Sequence, residues 1–161
     1  MKLIDTAAMD ELSRRAAESP RLRAHQNFHA NAAEAVQRLM IAMQPGTFVP
    51  VHCHERDGMW ELLMIQRGEV ECVIFDGDGQ VLARHRMCAG GQLTAIELPP
   101  GTWHSVICRQ AGTVIFEVKP GPYDPAQAAR RAPWCPDESD AQRETFRQWL
   151  EIAPPGSRWE S

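Results

Sequence analysis

The chain has 161 residues, of which 43% are hydrophobic and 24% charged, the balance of one ordinary globular domain. Its 17 basic and 21 acidic residues leave a formal net charge of −4, so nucleic acid is not expected as its main partner. No apolar run approaches the ~20 residues that span a bilayer, and the charged N-terminus resembles no signal peptide. Five cysteines without a CxxC pair indicate free thiols, so we expect a cytoplasmic protein that does not bind membranes.

The first predicted element is a helix over residues 5–19, in which Met9, Leu12 and Ala16 recur at helical spacing. A stretch at residues 21–31 follows that is too polar for a core element, and we predict an ordered arm or loop there. Residues 36–43 fit either a strand, since their apolar side chains alternate, or a short helix.

The middle of the chain has the pattern of antiparallel β-structure. Gly and Pro turns recur every 8–12 residues and separate predicted strands at residues 47–54, 60–67, 69–75, 80–87, 93–98, 103–109 and 113–119. Short strands with no helices between them are typical of a sandwich or barrel.

The tail begins with three prolines within residues 120–125, which exclude a central strand there. A last helix is predicted from a capping box formed by Ser139 and Gln142. We therefore expect a single mainly β domain over residues 1–161. Its parts are a helix with a polar arm, a β-barrel, and a Pro-rich segment with a helix, at residues 1–35, 36–119 and 120–161.

The residues with metal-binding chemistry lie in three short segments. His52 and His54 are two apart on a predicted strand, so both imidazoles point to one face. Glu61 begins the next strand, and His104 follows a Pro-Pro-Gly turn. Three nitrogens and one oxygen suit one divalent transition metal, such as Fe, Mn, Ni, Co or Zn. Glu55 is the alternative carboxylate, although its loop is expected to face solvent.

These segments resemble the two sequence motifs of the cupins. Gly46, His52-Cys53-His54, Glu61 and Gly68 resemble the first motif, and PPGTWH at residues 99–104 resembles the second. The resemblance implies a small jelly-roll β-barrel whose metal is held by three His and one Glu. Because cupins commonly pair through strand edges, it also implies a homodimer.

A narrower resemblance extends over most of residues 1–150. Five segments are similar to the WbuC family of cupin-fold metalloproteins. They are SPRLRAHQNFH, VQRLMIAMQPGTFVPVHCH, WELL, PPGTWHSV and FEVKPGPYDP. Members of that family are often associated with bacterial surface-polysaccharide genes, without a firmly assigned reaction. This resemblance implies fold and metal more strongly than substrate.

Three functions remain open at this point. The leading one is a metal-dependent enzyme acting on a small polar metabolite such as a sugar. The second is a non-catalytic module that binds or senses a small ligand, and the third is a metal-free sugar isomerase or epimerase. In each case we expect the polar arm to fold over the barrel, with Asn27 or His29 contacting the ligand. Arg38 is expected to contact an anionic group inside the barrel.

Overall fold

Two antiparallel five-stranded sheets face each other and enclose the centre of the molecule. The computed structural model describes residues 1–160. In spatial order, the first sheet contains β1 (Arg23–Asn27), β2 (Val36–Met43), β9 (Thr113–Pro120), β4 (Glu61–Arg67) and β7 (Ala95–Leu98). The second contains β10 (Arg130–Arg131), β3 (His52–Cys53), β8 (Trp103–Cys108), β5 (Glu69–Phe75) and β6 (Val81–Cys88).

One helix lies near each end of the chain, so the predicted mainly β architecture with terminal helices is confirmed. Helix α1 (Thr6–Glu18) begins where the Asp5 carboxylate accepts a hydrogen bond from the Ala8 amide at 2.9 Å. Helix α2 (Arg143–Ile152) ends before the Pro154-Pro155 pair. Within residues 1–160, no helix has both the length and the hydropathy needed to cross a membrane.

Three apolar clusters hold these layers together. Between the sheets lies a cluster that includes Leu63, Val106 and Ile115. The outer face of the first sheet packs on α1, and that of the second packs on α2 around the fully buried Phe146. Helices on both outer faces therefore bury the strand residues that point away from the barrel interior.

The interior changes from apolar to polar along the strands. On β4, Glu61 precedes Leu63 and Ile65 on the inner face, and on β8 His104 precedes Val106 and Cys108. Because the strands are antiparallel, the polar start of β4 lies beside the end of β9. One end of the barrel is therefore an apolar core, and the other is lined with ionisable side chains.

The structure corrects three predicted elements. The polar arm contains strand β1, which pairs with β2 along its full length. Its polar residues are compatible with a strand because His25 and Asn27 line a cavity instead of packing in the apolar core. Strand β3 is much shorter than the predicted strand at 47–54. Helix α2 begins at Arg143 without a side-chain cap, since the Ser139 hydroxyl donates to Asp137 at 2.7 Å.

The C-terminal end of α2 is fastened to the second sheet through Glu71 on β5. Arg84 and Arg109 both donate to the Glu71 carboxylate, and both also donate to backbone carbonyls at the end of α2, including that of Glu151. These carbonyls lack partners within the helix, so the two guanidinium groups cap it. The hydrogen bond from Arg84, followed by that from Arg109, lowers the pKa of Glu71 to about 2.

The variant Glu71→Gln is expected to lower the free energy of unfolding at pH 7 by about 1–2 kcal/mol. This loss is smaller than the pKa shift of Glu71 alone would give, because the carboxylate is partly solvated. A depressed folded-state pKa stabilises the protein above the ordinary carboxyl pKa. The difference between wild type and variant should therefore shrink as the pH falls from about 4.5 toward about 2. Urea unfolding across this range measures it. Glu11→Gln, which removes an exposed ion pair on α1, is the control and should leave the midpoint unchanged; an equal loss in both variants would contradict the role of Glu71.

Candidate metal centre

The four predicted ligands are brought together by strand pairing at the polar end of the barrel. His52 on β3 is the direct cross-strand partner of His104 on β8, so both imidazoles leave the sheet on the same face. His54 follows β3, and its carbonyl accepts a hydrogen bond from the Gly101 amide at 2.8 Å, which joins the two motif segments. Glu61 reaches the same point from β4 in the opposite sheet.

The possible ligand atoms of His52, His54, Glu61 and His104 all lie within 4.8 Å of one another. The Glu61 carboxylate is 3.4 Å from His54 Nε2 and 3.1 Å from His104 Nε2. Metal bonds of about 2.0–2.2 Å place neighbouring ligand atoms about 3.0–3.6 Å apart and opposite ones about 4.4 Å apart, so the two contacts of Glu61 already have the spacing of neighbouring ligands, and the widest pair has to close around one ion.

Backbone carbonyls set the tautomer of each histidine. Nδ1 of His52 donates to the Pro50 carbonyl at 2.9 Å, and Nδ1 of His104 donates to the Thr102 carbonyl at 2.9 Å. Nδ1 of His54 donates to the carbonyl of Ala128. Since a carbonyl only accepts, the proton of each neutral ring is on Nδ1, and each Nε2 presents a lone pair.

The arrangement fits a cation. Three Nε2 lone pairs and a carboxylate point toward one small volume, and in neutral rings no proton lies between them. Nε2 of His54 is buried without a hydrogen-bond partner among the described residues. Such a group is costly to bury unpaired, and a divalent metal with nitrogen and oxygen preferences would satisfy all four side chains at once.

The pKa shifts at the site describe a proton standing where a cation would bind. Burial alone would lower the pKa of His54, but the contact with the Glu61 carboxylate raises it. Burial, followed by the neighbouring His104, lowers the pKa of His52 to about 3, so this ring is neutral near pH 7. Burial alone would raise the pKa of Glu61, but contacts with His104 and His54 and the charge of Lys119 hold it well below its usual value. Neutral imidazole and ionised carboxylate are the forms that bind metal ions.

Two inward-facing residues of β9 were missed by the sequence analysis. Lys119 Nζ lies 3.6 Å from Glu61 Oε1 and 2.5 Å from Glu117 Oε1. Burial, and then the charge of Glu61, raises the pKa of Glu117 to about 6. The signal was present in FEVKP, because period-two alternation places both residues on the inner face with Ile115.

Tyr123 lines two cavities of similar size at this end of the barrel. One, of about 300 Å³, is lined by the inner faces of β1 and β2, by Lys119, and by Asn27 and His29. The other, of about 290 Å³, is lined by His52 and by three arginines, Arg21, Arg23 and Arg131.

The remaining predicted positions are separate from the cluster. Arg38 alternates with the cavity-lining residues Gln37 and Leu39, so it points to the opposite face of β2, where it pairs with Glu34 at 2.5 Å. The structure therefore places Arg38 away from the barrel interior in which it was expected. Glu55 pairs at 2.5 Å with Arg130 on the surface and is half exposed.

Comparisons with known proteins bear on the family and on the fold. The family described as a domain of unknown function, DUF6016, matches residues 4–87, more than half of the chain. The chain belongs to the DUF6016 family. No protein of curated function matches it.

Solved structures resemble this DUF6016 protein in fold. KdgF from Halomonas sp. has a TM-score of 0.51 and 14% identity over 66% of this chain and 84% of that one. The capsular polysaccharide assembling protein CapF of Staphylococcus aureus has a TM-score of 0.55 and 15% identity over 66% of this chain and 29% of CapF. An oxalate oxidase bound to glycolate has a TM-score of 0.52 and 19% identity over 73% of this chain and 58% of that one.

At such identities the likeness shows the fold alone, and it confirms the predicted cupin fold. The narrower resemblance to the WbuC family stays a prediction. The His₃Glu cluster is consistent with a cupin metal site, and the identity of the metal is open.

Replacing Glu61 by Gln is expected to weaken zinc binding by at least about tenfold, a loss typical even of groups that only support a ligand. A competition titration with a chromogenic chelator measures the affinity. Glu55→Gln is the matched control, because Glu55 lies in the loop between His54 and Glu61 but faces solvent. A loss in the Glu55 variant with none in the Glu61 variant would show that the wrong carboxylate has been assigned.

Proposed function

We propose that this protein holds one divalent transition metal ion through His52, His54, Glu61 and His104, and that it is a metal-dependent enzyme acting on a small polar metabolite. The observation that carries the proposal is the convergence of three Nε2 atoms, each from a ring whose Nδ1 contacts a backbone carbonyl, on a buried carboxylate. The adjoining cavities, each about 300 Å³ or slightly less, are of the size that holds a small metabolite.

The chain's own residues bind and orient the substrate in this proposal. Lys119 holds Glu61 and Glu117 from one side, which keeps the Glu61 carboxylate aimed at the cluster. Asn27 and Tyr123 offer hydrogen-bonding groups to a ligand in the larger cavity. When bound, the metal supplies a Lewis acid that polarises an oxygen of the substrate.

The proposed substrate class includes sugars linked to surface-polysaccharide metabolism, and this part rests on the resemblance to the WbuC family. Two of the segments that carry the resemblance also line the cavities: SPRLRAHQNFH contains β1, and FEVKPGPYDP supplies Lys119 and Tyr123. A cytoplasmic location belongs to the same proposal.

The double variant His52→Ala and His54→Ala is expected to lose stoichiometric metal, because two of the four ligands are removed. Elemental analysis of protein purified without added metal measures the content. His85→Ala is the control, since His85 lies on β6 outside the cluster. Full metal occupancy in the folded double variant would refute the metal site.

The reaction is then sought by incubating metal-loaded protein with a metabolite mixture that includes sugars and sugar phosphates. Depletion of a compound by the wild type and not by the double variant would establish an enzyme. Retention of a compound without turnover would instead favour the ligand-binding alternative, and metal-independent turnover would favour the isomerase or epimerase.

Asn27→Ala is expected to weaken binding of the metabolite identified in this way by about three- to tenfold, the worth of one hydrogen bond. Gln26→Ala is the matched control, because Gln26 is the adjacent residue of β1 and pairs with Met40 on the face that packs against α1. Calorimetric titration compares the two variants, and thermal melts check folding. Equal affinities would limit β1 to a structural role and exclude Asn27 from the pocket.

A further inference from the structure

The cleft that contains His52 also gathers positive charge. Three arginines line it, Arg21, Arg23 and Arg131, together with one carboxylate, Glu138. The lining therefore has three guanidinium groups against one carboxylate, although the whole chain has a formal net charge of −4; a second carboxylate, Asp137, lines the adjoining cleft with Arg21 and Arg131. Guanidinium groups that outnumber carboxylates beside a candidate metal ligand are the electrostatic setting of an anion site.

Arg131 is placed by strand pairing. In the short ladder between β10 and β3, Arg131 is the cross-strand partner of His52, which is in turn the partner of His104. Cross-strand partners emerge on one face of a sheet with Cβ atoms about 4.5–5.5 Å apart. The Arg131 side chain therefore begins on the same face as the metal cluster, and it has no ion-pair partner within residues 1–160.

Arg23 approaches the cleft from the first sheet and is held rigidly. Its side chain is only 10% exposed; it donates to Glu138 Oε1 at 2.8 Å and also to the Phe48 carbonyl. Arg21 contacts the same carboxylate oxygen from a more exposed position. The carboxylate of Glu138 is therefore an example of the planar oxyanion that such guanidinium groups bind. Arg131 does not pair with it and can bind a second oxyanion.

The neighbouring residue Arg130 has an ion-pair partner, which Arg131 lacks among the described residues. Arg130 points to the other face of β10, where it pairs with Glu55 at 2.5 Å and lies 5.5 Å from the centre of the Trp103 ring. The two arginines are adjacent in sequence and have the same charge. They differ in the face of the sheet that they occupy and in having a partner.

We infer that Arg131, with Arg23 beside it, binds a carboxylate or phosphate group of a small-molecule substrate and so directs that substrate to the metal cluster at His52. The inference rests on the proposed function, because it assigns the substrate class of that site. The shared chemistry is an oxyanion with two or more oxygens, which a guanidinium group binds through parallel hydrogen bonds.

The test is an NMR titration of ¹⁵N-labelled protein with inorganic phosphate and, separately, with acetate, following the arginine Nε–Hε signals. Wild type and Arg130→Gln should bind at least one of the anions with equal dissociation constants. Arg131→Gln should raise the dissociation constant by about tenfold or more, the loss expected for a hydrogen bond between charged groups. Binding of phosphate alone assigns a phosphorylated substrate, and binding of acetate alone assigns a carboxylate.

The inference is overturned if neither anion shifts the Arg131 signal of the wild type, a result that requires no variant to fold. It is also overturned if Arg130→Gln and Arg131→Gln change the dissociation constant equally, since charge alone would then explain the binding. Titrations of both zinc-loaded and chelator-treated protein separate the two proposals. Arg131-dependent anion binding in a protein that binds neither zinc nor iron(II), manganese, cobalt or nickel would refute the proposed metal function and leave the anion site standing.

Discussion

Lone pairs that face one another without a proton or a cation between them repel, and this constraint organises the polar end of the barrel. The Nδ1 atoms of all three histidines are committed to backbone carbonyls, so no ring of the neutral site can offer a proton to Glu61. The two carboxylates and one lysine in this interior also leave an uncompensated negative charge. Buried charge of this kind is costly unless it is paired, and a divalent cation would remove both penalties together.

The sequence of inner-face residues along the strands confines the buried charges to one end of the barrel. Inner-face residues of β4 and β8 change from ionisable to apolar within two residues, at Glu61–Leu63 and at His104–Val106. The apolar half buries enough hydrophobic surface to hold the sheets together, so the polar half can remain open for a ligand. The apolar residues that stabilise the fold and the ionisable residues of the site therefore lie at opposite ends of the same strands.

Sequence reasoning predicted the four clustered residues because its signals are local. The spacing of His52 and His54 needs only the strand period, and Glu61 is marked by its distance from Gly68, whose φ of +74° and contact with Thr113 require glycine. The sequence predicts an ordered arm or loop where β1 forms, because polarity alone does not distinguish a solvated arm from a strand facing a cavity. The pairing of Arg131 with His52 links residues far apart in sequence, and no periodicity encodes such a contact.

That contact makes the Pro-rich segment part of the site. Between β9 and β10 the chain supplies Tyr123 to both cavities, the Ala128 carbonyl to His54, and finally Arg131 beside His52. Prolines restrict the backbone, so a segment with few regular hydrogen bonds can still hold these groups in place. An anion on Arg131 and a cation at His52 would attract each other across one ladder. Linkage then requires that each strengthen the binding of the other by the same factor, so substrate and metal would select the same arrangement of β3 and β10.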